Sequence, residues 1–309
     1  MFPILWHRFQ GANPPAVDPG VSLRSTPGSW LATFQVAGKG TGQKLNCAPA
    51  DVFPQASLAS SRRAGQTLGV MRTAQTIRYV AEPKHVREVT LTGTSDFGFW
   101  SDYLKGEGLT PIRCGDAAQV WIVSAEMVYL GVRFTEVSLS VRTVLTQDGN
   151  SEGMRLLHAF TSSRVFAWCE RTMFATPYSH GAGRVSVQNP LSVRLDAAGG
   201  CVLSAKMSPL ARAALRAGDE RWEGPVFLPP RDAADDGRLF FGRLSGHTVV
   251  YPFLSSDRFE LEPSAGGGVL QPLADSRFFP QEWVVRADAT HGKSKTYRRT
   301  DIFTHDHAA

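Results

Sequence analysis

From Thr76 onward the chain is a succession of short apolar or alternating runs: "TIRYV", "VREVTLT", "AQVWIVSAEM", "RLLHAF", "RVSV", "CVLSAKM", "LFFGRL", "HTVVYPF", "RFELEP" and "EWVVRAD". Gly, Asp and Pro punctuate them, and β-branched and aromatic residues in runs of this length suit a pleated, half-buried surface. Few of the runs are separated by helical patterns. The chain therefore reads as mainly β within the α+β class, with antiparallel sheets rather than a parallel doubly wound one. Three helices are expected: "SDFGFWSDYLKGEG", capped by Ser or Asp and closed by glycine; "TSSRVFAWCERTMFATP", with Val165, Cys169 and Met173 four apart and Pro177 beyond; and "SPLARAALRAGDE", with Pro209 in its first turn and Gly218 at its end.

The first part of the chain has a different texture. Residues 10 to 70 are rich in Gly, Pro, Ser and Ala, with "SWLATFQV" as the one convincing strand. Such composition reads as an irregular arm over residues 1–75, preceding one domain over 76–304 and a frayed tail over 305–309. Apolar residues make up 42% of the 309, enough for a packed core, so a disordered scaffold is excluded. The 33 Lys and Arg interleave with 28 Asp and Glu and form no stripe that would track a phosphate backbone, which argues against a nucleic-acid partner. Cys47, Cys114, Cys169 and Cys201 lie far apart with no CxxC pair, so no zinc site is expected and free thiols suit a reducing compartment. "MFPILWHRFQ" lacks the charge pattern of a secretory leader, and no run reaches the ~20 apolar residues of a membrane span. A cytoplasmic protein without a membrane partner is expected.

One stretch carries chemistry. In "RFTEVSLSVRTVL", residues 133 to 145, an extended chain sends Val137, Leu139, Val141 and Leu145 to one side and Glu136, Ser138, Ser140 and Arg142 to the other. Two readings stay open. The strand is half exposed, apolar inward and polar outward, or its polar face lines a cavity. In the second case Glu136 and Arg142, roughly 20 Å apart at ~3.4 Å per residue, cannot share one small ligand.

The order of that strand, then "LLHAF", then a helix ending "ERTMFATPY", with "FGFWSDYLKGEGLTP" and "AQVWIVSAEMVYLGVRF" upstream, resembles the acetoacetate decarboxylase superfamily, including its branch with an E-x-N-x-R-T strand and an R-x-x-F-x-L-P-Y segment. The resemblance covers about residues 85 to 210. It implies antiparallel sheets in a closed or conical β-barrel around a pocket, with small helices outside and a possible homo-oligomer. In the decarboxylases the residue after the motif proline is a Schiff-base lysine, activated by a second lysine beside it. The matching positions here are Tyr178 and Ser179, and neither forms an imine.

Only seven lysines exist: Lys39, Lys44, Lys84, Lys105, Lys206, Lys293 and Lys295. Lys206, in "CVLSAKM", either enters a barrel or snorkels to solvent. Lys293 and Lys295 belong to "THGKSKTYRR", whose composition reads as a solvated basic loop, or else as an anion-binding lid. Arg171 is a candidate carboxylate clamp or a partner of Glu136. Tyr178 is a candidate phenol donor to an enolate, and His180 a candidate acid or base. His158, among apolar alternating neighbours, reads as a core histidine or a pocket contact. "HDH" at 305–307 has ligand chemistry but no fixed geometry, and "SAGGGV" at 264–269 lacks phosphate-loop spacing. The expected catalytic residues are Glu136, Arg171, Tyr178 and His180. The expected substrate contacts are Ser138, Phe174, Arg142 and His158. No cofactor or metal is expected. The function implied is acid–base chemistry on a keto, enoyl or polyketide-like acid without the Schiff-base lysine, as a lyase, dehydratase, cyclase or isomerase. The alternative is a non-catalytic small-molecule binder on the same fold.

Overall fold

The computed structural model describes residues 77–147, 151–197, 199–232, 237–263 and 268–303. The expected N-terminal arm with its strand "SWLATFQV", most of "SAGGGV" and the "HDH" tail lie outside the described residues. In chain order the strands are β1 (Tyr79–Ala81), β2 (Lys84–Asp96), β3 (Leu109–Pro111), β4 (Arg113–Cys114), β5 (Ala117–Tyr129), β6 (Val132–Leu145), β7 (Glu152–Thr161), β8 (Tyr178–His180), β9 (Ala182–Ser186), β10 (Ser192–Ala197), β11 (Gly200–Lys206), β12 (Arg216–Leu228), β13 (Arg238–Pro252), β14 (Arg258–Leu261), β15 (Phe279–Ser294) and β16 (Tyr297–Arg298). Four short helices accompany them: α1 (Phe97–Leu104), α2 (Arg164–Cys169), α3 (Gln271–Asp275) and α4 (Arg299–Ile302).

Seven strands close a barrel in the order β15-β2-β5-β6-β7-β12-β13 and back to β15. Every contact around the ring is antiparallel except β7 with β12, which run parallel at Met154↔Val226 and Arg155↔Phe227. A second sheet, β14-β11-β10-β9, packs against the outside of the wall. The main core lies there, between the two sheets. Val89, Leu91, Val120, Ile122, Val137, Leu139 and Val141 of the wall meet Val193, Leu195, Val202 and Leu203 of the second sheet. The apolar faces of β2, β5 and β6 therefore turn away from the barrel axis, and their polar faces turn inward, because successive side chains of a strand alternate. Glu136, Ser138 and Ser140 of "RFTEVSLSVRTVL" thus lie on the inward face of β6.

The first expected helix forms as α1, with the Asp96 carboxylate accepting from Phe99 N at 2.6 Å, and it ends at Gly108 in the left-handed region. The other two differ. The second is α-helical only over α2, then widens into a π-helical turn, Glu170–Phe174. Its apolar stripe is not buried: Val165 and Met173 are each 49% exposed. The third is no helix at all. Residues 216–228 are instead β12, paired along its length with β13, and Arg212 holds the segment before it through Asp257, Ser208 and Pro252. The ladder with β13 takes residues 216–220, the end of the expected helix, and leaves too short a run before it to form a stable helix. "THGKSK" is likewise no loop, since β15 continues to Ser294. No helix among the described residues is long and apolar enough to cross a membrane.

Candidate active site

The barrel's inner face can be followed from pairing. Across β2, β5 and β6 the registers Glu88↔Ala125↔Glu136 and Thr90↔Val123↔Ser138 place these residues on one surface. Across β15, β13 and β12 the registers His291↔Leu244↔Trp222 and Lys293↔Gly242↔Gly224 supply the facing wall. Glycine at 242 is needed for space, because a Cβ there would stand 2.9 Å from the Trp222 ring. The inner surface is rich in carboxylates, hydroxyls and indoles. A small sheet that kept such groups in solvent would need no barrel; closure encloses them, which fits a site for a polar ligand better than a core.

The parallel pairing of β7 with β12 covers only two residues, so the rest of β7 needs another neighbour. β8 fills that seam, pairing with β7 at Ala159↔Tyr178. The π-helical turn before it swings Glu170 toward the barrel and is tied down from the facing wall. Thr296 Oγ1 donates to Phe174 O at 3.1 Å, and Arg238 Nη1 donates to Ala175 O at 2.7 Å. Ala175 itself is left-handed, φ 53°, a conformation a non-glycine residue adopts only when its surroundings impose it.

At this seam a cluster forms that the sequence reading only half contains. Lys293, entering from β15, forms an ion pair with Glu170, and both side chains are largely buried. Its ammonium lies over three rings: Phe240 at 4.6 Å from the centroid, Phe174 at 5.2 Å and Tyr178 at 5.3 Å. Thr176 Oγ1 donates to the second charge partner, Glu170 Oε2, at 2.6 Å. Tyr178, 6% exposed, stands beside Glu136. Burial raises the Glu136 pKa and the nearby Glu170 charge adds to the rise, although Lys293, the Tyr178 hydroxyl and His291 pull the other way. Burial, with Glu136 and Glu170 beside it, also raises the Tyr178 phenol well above its ordinary value.

Further along the inner face stands a second set. Glu88, 1% exposed, accepts from Arg286 Nη1 at 2.6 Å, from Thr90 Oγ1 at 2.8 Å and from His291 Nε2 at 2.7 Å. Burial alone would raise its pKa, but Arg286 and the hydrogen bonds hold it down at about 2. Arg286 also reaches Glu220 at 2.9 Å.

The expected site residues divide accordingly. Glu136 and Tyr178 are brought together, Ser138 lies two residues along the same face, and the Phe174 ring borders Lys293. Arg142 shares the face but is engaged elsewhere, with Gln119 at 3.0 Å and Glu152 at 2.9 Å. Arg171 is exposed: the π-helical turn that brings Glu170 inward sends its neighbour out, so Arg171 pairs neither with Glu136 nor with anything in the barrel. His180 is exposed as well, because the chain leaves the seam at Gly181 to start the second sheet; it borders a surface cleft of about 360 Å³ with Arg194 and Cys201. His158 pairs with Leu139 and so faces outward, its ring 4.8 Å from Phe160 and bonded to Ser179 Oγ at 3.0 Å; burial pushes its pKa down to about 4. Lys206 is exposed on the second sheet.

Sequence reading missed Glu88, Glu170, His291 and Lys293. For Glu88 a signal was present: "EVTLT" alternates polar and apolar residues as "EVSLS" does. For Lys293 the signal was masked by a register shift between Arg286 and Ala289 that interrupts the alternation. An amine therefore does reach the barrel, from the wall opposite the motif proline. Among the described residues no group of three or more His, Cys, Asp or Glu could hold a metal ion.

No protein-family model matches the chain, and no curated protein matches it. Solved structures do. An acetoacetate decarboxylase aligns with a TM-score of 0.50 at 16% identity, over 73% of this chain and 91% of its own. An acetoacetate decarboxylase-like enzyme from Sphingomonas wittichii RW1 aligns at 0.47 and 10% identity, over 75% and 99%. The enduracididine biosynthesis enzyme MppR, with HEPES buffer bound, aligns at 0.48 and 12% identity, over 72% and 88%. At these identities the likeness is one of fold, and the fold of this chain is acetoacetate decarboxylase-like.

Proposed function

We propose that this chain is an enzyme of small-molecule metabolism whose active site is the barrel interior, and that it acts on a keto or enoyl acid by proton transfer. The observation that carries the reading is the partly buried Glu136 carboxyl on the inner face, with the Tyr178 phenol and the ion-paired Lys293 ammonium near it. A carboxyl whose pKa is raised by burial keeps a proton to give at higher pH than a solvated one. Tyr178 supplies a donor beside it, and a phenol beside a carboxyl can stabilise charge that develops on a carbonyl oxygen. Lys293, held by Glu170, acts as a fixed cation that draws in a carboxylate or polarises a carbonyl.

This division of labour favours acid–base chemistry over covalent catalysis. An amine that attacks a ketone must be uncharged, whereas Lys293 stands in contact with a carboxylate. The position after Pro177 holds a tyrosine, so no amine is presented from that side.

The test uses 2-oxobutanoate and acetoacetate as probes in D₂O, with deuterium incorporation next to the carbonyl followed by NMR. Wild-type protein is expected to accelerate exchange over buffer, and Glu136→Gln to slow it by at least about 100-fold, the usual contribution of a positioned acid–base group. Saturable binding of either probe without exchange would replace the enzyme by the non-catalytic binder. Equal exchange in a folded Glu136→Gln variant would remove Glu136 from the chemistry.

A further inference from the structure

Proton transfer at carbon needs a base as well as an acid, and Glu136 is the acid of the proposed function. The inner face offers one group with the right connections. His291 precedes Lys293 by two residues on the same side of β15, and its side chain remains 22% accessible. Its Nε2 lies 2.7 Å from Glu88 Oε2. Among the described residues the ring makes no other hydrogen bond.

The partner decides which nitrogen carries the proton. Glu88 already accepts from Arg286 and Thr90, and an ionised carboxylate has no proton to donate, so Nε2 must be the N–H. In the neutral ring Nδ1 is then the bare nitrogen. The Glu88 carboxylate is held by two groups, Arg286 and Thr90, before His291 touches it, which sets the ring's orientation as well as its tautomer. Two proton carriers thus share one face of the barrel: a carboxyl whose pKa burial raises, and an imidazole whose Nδ1 has no protein partner among the described residues.

We propose that His291 is the catalytic base of this site and that Glu88 is its positioning residue. The proposal rests on the barrel interior being the active site and adds the reaction class: transfers that need both carriers at once, such as enolisation leading to isomerisation or dehydration. In the first step Nδ1 takes the proton from the carbon beside the carbonyl. The C–H pair becomes the new C=C bond, the carbonyl π pair moves to oxygen, and Glu136 protonates that oxygen. His291 is left as imidazolium and Glu136 as carboxylate, and the reverse step restores both.

The first test needs no substrate. Long-range ¹H–¹⁵N NMR of the uniformly labelled full chain at pH 7.5 should show His291 protonated at Nε2 and bare at Nδ1. A proton on Nδ1 overturns the assignment. The second test is deuterium exchange into 2-oxobutanoate: His291→Gln should lower kcat by about 100-fold or more with KM changed less than about threefold, and Glu88→Gln should shift the pH profile of exchange and redistribute the His291 tautomers. Wild-type exchange rates in His291→Gln overturn the assignment too. Should Glu88→Gln fail to fold, Thr90→Val removes one of the contacts on Glu88 and should disturb the same tautomer signal in the same direction. Wild type that has the expected tautomer but exchanges neither probe strikes the enzyme reading, and the tautomer alone then decides the assignment of the bare nitrogen.

Discussion

A carboxyl enclosed by protein and set near a second carboxylate is costly to ionise, and Glu136 stands in that position with Glu170 near it. Its consequence for stability has a definite sign. The native state holds a proton that the unfolded chain releases near pH 4.5, so the native state loses relative stability as pH rises through the raised value. Glu136→Gln keeps a polar group of the same shape and removes the charge. The variant is therefore expected to be more stable than wild type at pH 8 and to lose that advantage by pH 4, as measured by urea unfolding at both pH values. Wild type remaining the more stable at pH 8 would contradict the burial of Glu136. Glu88 acts in the opposite sense. Its native pKa of about 2 contributes stability above pH 4.5 that is lost as pH falls towards 2. From a difference of about 2.5 units the contribution is roughly 3 kcal/mol. Two glutamates on one inner face thus pull in contrary directions, as expected where one keeps a proton and the other orients a base.

Closure of the barrel depends on one narrow contact, the parallel pairing of β7 with β12. Gly153 permits it: a Cβ there would stand 2.4 Å from Pro225 O and 2.8 Å from the Phe227 ring. A backbone oxygen cannot step aside as a flexible side chain does. Gly153→Ala is expected to cost at least ~2 kcal/mol in chemical denaturation. Gly106→Ala, with nothing within 4 Å of its Cβ, should stay within about 0.5 kcal/mol of wild type. If the two variants unfold together, the seam does not hold the barrel closed. Strand identity was legible for β2, β5, β6 and β7, because period-two alternation is local and these strands keep it. The start of the Arg216–Leu228 strand was not legible, since the Ala- and Arg-rich run before it suits a helix ending at Gly218, and only the ladder with β13 shows that residues 216–220 are extended. The helix expected over residues 161–177 failed for a related reason: its apolar residues have the right spacing, but the site recruits Glu170 and widens the turn.

At the level of the assembled barrel, the mainly antiparallel architecture could be read from the density of strands, and the barrel itself from the resemblance. What no periodicity reveals is which strands face each other. Glu136 and Tyr178 were each legible as candidates, one from an alternating strand and one from a proline-terminated segment, but not as neighbours: the partner read for Glu136 was Arg171. Lys293 and His291 were not, because a register shift hides their side of β15 and the residues around them have the composition of a loop. The site is assembled from β2, β6, β8, β15 and the π-helical turn, segments up to about two hundred residues apart, so its charge balance exists only after closure. Its central feature is the Lys293 amine in an ion pair with Glu170, near the Glu136 carboxyl to which the proposed function gives the acid role. Reductive trapping examines that claim most directly. Protein incubated with acetoacetate or 2-oxobutanoate and sodium borohydride, then measured as intact mass and by peptide mapping, should show no adduct on Lys293 under conditions where deuterium exchange proceeds. A stoichiometric mass increase on Lys293 would contradict it and make that residue a nucleophile.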